Sequence, residues 1–315
     1  MKGRHFGTFG VFLFGLWVLV FFPISGARPP GKVSSKIFAL PAALESPSSN
    51  RELEVPTPTD RAHDLAKSAS KVEAETCEDV SNAQDCHDNY PTGCTTSENP
   101  NYDAYLNFLK NQTPAPDPRP VSVLTGEDFK TLEEKVPKTL TKRNHAKHAE
   151  QLADLGEGNI FAVVGYLYYA QQTGPESCNC KLSGPKNTDF HIGIGFDRDL
   201  AGRLRGDETV DKSELEQASY IVEMTPHYRA EFHPKWTVTR LKKVVGEQVK
   251  VVGQLMIDNE HAVPSQDCGR PNADHDKCWT ASVWEIHPVT QFYVCKSESP
   301  CTADSNQWER IDDKN

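Results

Sequence analysis

Short apolar runs that alternate at a two-residue period recur through the second half of the chain: 161–170 (FAVVGYLYYA), 189–195 (DFHIGIG), 220–225 (YIVEMT), 249–258 (VKVVGQLMID) and 282–294 (SVWEIHPVTQFYV). Runs of this length, rich in Val, Ile, Tyr and Phe and bounded by turn formers, are strand patterns. Between the third and fourth, HPKWTVTRLKKVVG spaces Trp236, Leu241, Val244 and Val245 as one face of a short helix and stops at Gly246, a common helix terminator. Three strands, a helix and two strands is the order of the five-stranded OB barrel. Glycines inside the first, second and fourth runs sit where a small barrel must bend. The expected fold is mainly β, an OB-like barrel over residues 158–301.

Upstream the pattern turns helical. Residues 126–135 are opened by Thr125 with Asp128 three positions on, and 141–155 are closed by Gly156, giving a helical lead-in at 120–157. His145 and His148 share a face of the second helix; metal ligation there competes with a solvated basic face, which Lys142, Arg143 and Lys147 favour. Cys77, Cys86 and Cys94, followed by NYDAYLNFLKNQ, suggest a small cysteine-containing appendage at 76–113. Asn111-Gln112-Thr113 fits the glycosylation pattern, which matters only in a eukaryote. Residues 28–75, rich in Pro, Ser, Ala and charge, are expected to be a disordered linker. Residues 1–27 run from Lys2 and Arg4 through VFLFGLWVLVFF to Pro23 and Ser25-Gly26-Ala27, the layout of a cleaved signal peptide. A retained anchor is the competing reading, because the apolar run approaches the ~20 residues that span a bilayer. No second such run follows, so no stable membrane span is expected after cleavage, and the protein is expected to be secreted or periplasmic.

Composition narrows the function classes. The 315 residues carry 22 prolines and a net charge of −10, which argues against non-specific nucleic-acid binding by massed Lys and Arg but leaves room for a local groove. Nine cysteines in an exported chain are read first as disulfides, and the odd count leaves one thiol over. Cys268 and Cys278 are expected to pair around a loop holding Asp274, His275 and Asp276. Cys178 and Cys180 are disulfide candidates too, although their spacing is too tight for an ordinary bridge to each other. A bridge is favoured over a nucleophilic Cys178 near His191. Zinc on the cysteines lacks a CxxC pair.

In order, GYLYYAQQTGPESCNCKL, TDFHIGIG, IVEMTPHYR, VVGQLMIDNEH and WEIHPVTQF resemble a family of exported bacterial proteins over residues 120–296. The resemblance implies a bacterial envelope or secreted setting and an OB-like barrel. It implies no activity and no catalytic residues.

Strand alternation supplies the candidate site. In the last run Trp284, Ile286, Pro288 and Phe292 fall on one face and Glu285, His287 and Val289 on the other; in the second, Asp189 and His191 oppose Phe190, Ile192 and Ile194. Pro288, without an N–H, belongs at an edge or a bulge. Glu223 occupies a comparable place in the third run, and Asp258, Glu260 and His261 crowd the end of the fourth. On one barrel, His191, Glu223, Asp258, His261, Glu285 and His287 could converge. Such a set either binds a ligand, holds a divalent metal, or forms a hydrogen-bonded buried network that fixes register. The leading expectation is a non-enzymatic binding module for an oligonucleotide or glycan, with Tyr166, Tyr168, Trp236 and Trp279 as candidate stacking platforms. The alternative is a metal-assisted hydrolase, nuclease-like or a phosphodiesterase, with Arg229 and Arg240 as phosphate clamps. A divalent metal is the one cofactor these residues suggest.

Overall fold

The fold is described from a computed structural model, which covers residues 60–73, 75–95, 102–114, 121–206 and 208–314. The signal segment and the linker as far as residue 59 lie outside the described residues. Three short helices come first: α1 (Asp60–Ser68), α2 (Ala83–Asn89) and α3 (Ala104–Lys110). The Asn82 and Asp103 side chains accept from the first free N–H groups of α2 and α3, as N-caps do. Then come β1 (Val123–Leu124), α4 (Gly126–Glu134), opened by the expected Thr125/Asp128 capping box, and α5 (His145–Asp154). The remainder is β2 (Ile160–Gln172), β3 (Phe190–Gly195), α6 (Arg198–Arg205), α7 (Lys212–Gln217), β4 (Tyr220–Met224), α8 (Pro226–Phe232), α9 (Val238–Lys242), β5 (Gln248–Ile257), β6 (Trp284–Cys295) and β7 (Trp308–Arg310).

Antiparallel pairs β2–β3 and β3–β4, the parallel contact β4–β6, and antiparallel β6–β5 and β5–β2 close a five-stranded barrel. With α8 and α9 between its third and fourth strands, this is OB topology. Phe161, Leu167, Ile192, Val222, Val251, Leu255, Trp284, Ile286 and Phe292 fill its interior. β2 is long enough to serve both edges, pairing with β5 through its first half and β3 through its second. Where β3 crosses it, a Cβ at Gly195 would stand 1.9 Å from the Tyr168 ring, so only glycine permits the approach.

β6 departs from strict alternation. Gly253 pairs with Val289 but Leu255 pairs with Ile286, and the Gly253–Val289 pair follows a Val252–Gln291 pair. Each step inserts one extra residue on β6, the signature of a β-bulge. Pro288 therefore sits at a bulge. Val289, expected outside, packs in the barrel core in place of Pro288. The strand meets β4 only at Val222–Ile286, so its pairing on that side ends beside His287.

Other expectations need correcting. Within the segment read as linker, Asp60–Ser68 is a helix; Ala62, Leu65, Ala66 and Ala69, at helical spacing, pack against Tyr105, Leu106, Ala149 and Ala153, and Arg61 donates to the Gln254 side chain at 2.7 Å. The cysteine-containing region does not stand apart: Cys86–Cys180 ties it to the β2–β3 connection, alongside Cys77–Cys94, Cys268–Cys278 and Cys295–Cys301. In the chain-entropy picture a loop of this 94-residue separation contributes about 4–5 kcal/mol. Cys178, a disulfide candidate, is the free and buried cysteine. The barrel sheet runs on past residue 301 to β7, which pairs with β6. Among the described residues no helix is long and apolar enough to cross a membrane.

His145 is not on a solvated face. It is fully buried, with Nε2 2.9 Å from both Glu157 carboxylate oxygens and Nδ1 2.9 Å from Asn259 Oδ1. Burial alone would lower its pKa, but Glu157 and Asp103 outweigh it and the value is raised. A raised imidazole pKa contributes stability that is complete below its ordinary value of about 6.5 and fades as pH climbs through the folded value. His145→Gln should therefore cost about 3–5 kcal/mol near pH 6 and flatten the decline of the urea midpoint from pH 6 to 9. An unchanged pH slope would show that the pair carries no such linkage.

Candidate functional site

Each predicted cluster residue lies on the outer wall or rim of the barrel. His191 on β3 stands directly opposite Glu223 on β4, with Nε2 and Oε1 3.4 Å apart. His287 on β6 lies beneath them: Nδ1 is 3.1 Å from Glu223 Oε2 and Nε2 is 4.0 Å from Asp189 Oδ1. Glu285, expected to match Asp189 and His191, is buried further along the strand opposite Met256. Asp258 and His261 close the group from the end of β5, 3.8 Å from one another. Of the six, His191, Glu223 and His261 line a cleft of about 540 Å³ together with Lys110, Glu176, Glu260 and Trp279, whereas Asp258, Glu285 and His287 are buried and do not line it.

Three segments outside the barrel wall complete the cleft. The β2–β3 connection supplies Thr173, Glu176, Ser177 and Lys181, the β5–β6 connection supplies Glu260, His261 and Trp279, and α3 supplies Asn107 and Lys110. OB barrels take their ligands on the face of the second and third strands, between the first–second and fourth–fifth connections. Here those are β3 and β4 and the two connections just named. Trp279 sets its ring edge-on to His191 and His261, with centroids 5.4 and 4.8 Å away.

Lys110 is the residue that strand patterns could not supply. Its ammonium is buried, 2.8 Å from Asp258 Oδ2 and 3.4 Å from Glu176 Oε2. Desolvation opposes its charge, yet Asp258, Glu176 and Glu223 raise its pKa well above the usual lysine value. In turn burial would raise Asp258, but Lys110 and His261 hold it well below the ordinary carboxylate range. Glu285 has no such ion pair, and burial, then Asp258 and Glu223, push its pKa well up. Burial followed by the neighbouring Glu176 and Glu223 lifts Asp189 to about 7. For Glu223 burial is outweighed by His287 and His191, which hold it down at about 2. Burial lowers His191.

Several buried polar atoms of this group make no hydrogen bond: Asp189 Oδ1, His191 Nε2, Glu223 Oε2, and both ring nitrogens of His287. The other Asp189 oxygen accepts from the Asn179 side chain. Asp189, Glu223 and His287 each place one ligand atom within 4.8 Å of the others, as do Glu176, Cys178 and Asp189, so either set has the donors to hold a metal. Cys178 is no activated nucleophile, since burial and then Glu176 and Asp189 push its thiol pKa well up.

Other expected contributors are occupied elsewhere. Arg229 is buried, with its guanidinium 3.6 Å from the Phe190 ring centroid and donating to the Met224, Pro185 and Thr188 carbonyls. Arg240 donates to the Ile311, Asp312 and Lys314 carbonyls. Neither is free to clamp a phosphate. Of the four aromatic candidates, Trp279 alone is among the residues that form the cleft; Tyr168 is buried, and Trp236 is buried and stacked on His233 at 3.8 Å. Asn111 is buried with its side-chain amide donating to Cys178 O, which leaves no room for a glycan on it. Asp274 pairs with Lys277 on the surface, away from the cleft. Comparison with protein-family models, curated proteins and solved structures finds no match to this chain.

Lys110→Met would leave Asp258 a buried charge without its partner, at an expected cost of about 3–5 kcal/mol. Denaturant unfolding of the full chain measures this, and a loss below about 1 kcal/mol would mean that Lys110 does not hold the acids together.

Proposed function

We propose that this chain is an exported, secreted or periplasmic, binding module of bacterial type whose ligand is a glycan. The observation that carries the reading is the place of the cleft: it lies on the strand face and between the connections where OB barrels receive oligomeric ligands, with one aromatic ring, Trp279, on its wall. Sugar recognition needs an apolar ring face and acceptors for hydroxyl groups; Trp279 offers the first, and Glu176, Glu223 and Glu260 the second. An oligonucleotide fits less well. Its phosphates would meet those carboxylates, while Lys110 is already paired with Asp258 and Glu176 and neither Arg229 nor Arg240 is available.

The second reading, a metal-assisted hydrolase, has one observation in its favour, the unpartnered oxygen and nitrogen atoms of Asp189, Glu223 and His287 beneath the cleft.

A glycan array followed by calorimetry on the best binder tests the first reading. Saturable binding that is insensitive to salt is expected, and Trp279→Ala should weaken it roughly 5- to 150-fold if the stacking contribution is about 1–3 kcal/mol. Binding of oligonucleotide with steep salt dependence and none of any glycan would overturn it in favour of nucleic acid; binding of neither would reject the module reading.

A further inference from the structure

We propose that Asp189, Glu223 and His287, joined by His191 at the rim, bind one divalent transition-metal ion, of the zinc or manganese kind, at the floor of the cleft. The inference goes beyond the glycan reading and stands without it, sharing only the cleft.

The first argument is unmet hydrogen-bonding demand. Asp189 and His287 are fully buried and Glu223 nearly so, yet Asp189 Oδ1, Glu223 Oε2 and both His287 nitrogens have no hydrogen-bond partner. A buried polar atom left in that state costs about 1–3 kcal/mol, and several in one spot point to a missing common partner. His287 Nδ1 stands 3.1 Å from Glu223 Oε2, so these two atoms attract one another, while His287 Nε2 and Asp189 Oδ1, 4.0 Å apart, are left without a partner.

Spacing is the second argument. Donors held about 2.1 Å from a tetrahedral ion stand roughly 3.4 Å apart. One ligand atom each of Asp189, Glu223 and His287 lies within 4.8 Å of the others, and His191 Nε2 stands 3.4 Å from Glu223 Oε1. Side-chain rotation brings one nitrogen of His287 and one oxygen of each acid onto a shared ion.

The surroundings fit as well. Asn179 donates to the Asp189 oxygen that would not face the ion, the outer-shell support that metal-binding carboxylates ordinarily have. Two carboxylates and imidazole balance a divalent charge, and mixed nitrogen and oxygen donors suit zinc, manganese or iron over magnesium or calcium. His191 and Glu223 also face the cleft, which provides the entry path. Of three cysteine-containing clusters, Cys77–Cys94–Cys180 and Cys268–His275–Cys278 cannot compete because their sulfurs are in disulfides, and the third, Glu176–Cys178–Asp189, shares Asp189 with the proposed site while its thiol lies 3.6 Å from Glu176 Oε2.

The full chain, stripped with chelator and titrated with Zn²⁺, Mn²⁺ and Mg²⁺ by calorimetry, is expected to take up one Zn²⁺ or Mn²⁺ per chain and Mg²⁺ at least tenfold more weakly. Thermal melting of the wild type should rise on adding Zn²⁺ or Mn²⁺. Asp189→Asn should lower affinity tenfold or more. Because a core change there can disturb folding, His191→Gln at the rim is the second variant; it should lose affinity while its metal-free melting curve stays as in wild type. No stoichiometric uptake with an unmoved melting curve would overturn the proposal, as would uptake unchanged in both variants, which would place the ion elsewhere. Neither result depends on sugar, so metal uptake without glycan binding, or the converse, separates the two readings.

Discussion

The cleft rests on one buried ammonium. Lys110 reaches from α3 to within 2.8 Å of Asp258 on the barrel and 3.4 Å of Glu176 on the β2–β3 connection, so three segments distant in sequence share one charge. Carboxylates gathered on the outside of a barrel would normally be solvated, because burying several like charges together is strongly unfavourable. Lys110 lets Asp258 stay ionised under cover. For Glu285, burial and then Asp258 and Glu223 instead push the pKa well up.

The N-terminal region is therefore part of the site and not an attachment to it. α3 supplies Asn107 and Lys110 to the cleft, Cys86–Cys180 ties α2 to the connection that walls it, and Asn107 bonds with Ser177 on that wall. On the far side, His145, Glu157 and Asn259 join α5 to the end of β5, one residue from Asp258. Polar networks of this kind specify one arrangement because any slip leaves a buried group without its partner. The cluster of Asp189, Glu223 and His287 differs from them in leaving buried polar atoms without hydrogen-bond partners.

Much of the barrel was legible because its strands are bounded by strong turn signals and alternate cleanly; the runs at 189–195 and 220–225 match β3 and β4 to within a residue or two. The same period-two rule placed His191, Glu223 and His287 on the outer face of their strands. The rule failed where its premise did: bulges in β6 reset the alternation, so Val289 and not Pro288 faces the core. Lys110 could not be foreseen, since its partners are 66 and 148 positions away and a lysine in a short helix reads as solvated. His145 was hidden for the same reason, by the basic residues beside it. α1 escaped notice because a nine-residue helix follows a long stretch of linker-like composition and has its apolar partners in later segments.

The central claim is that the barrel's outer face holds a metal centre beneath its ligand cleft. Anomalous diffraction from crystals of the full chain grown with Zn²⁺, recorded above and below the zinc edge, tests it most directly. A peak bounded by Asp189, Glu223 and His287, within about 2.0–2.2 Å of their donor atoms, is the expected result. Zinc peaks only at surface histidines, with the His287 nitrogens instead bonded to ordered water, would contradict it.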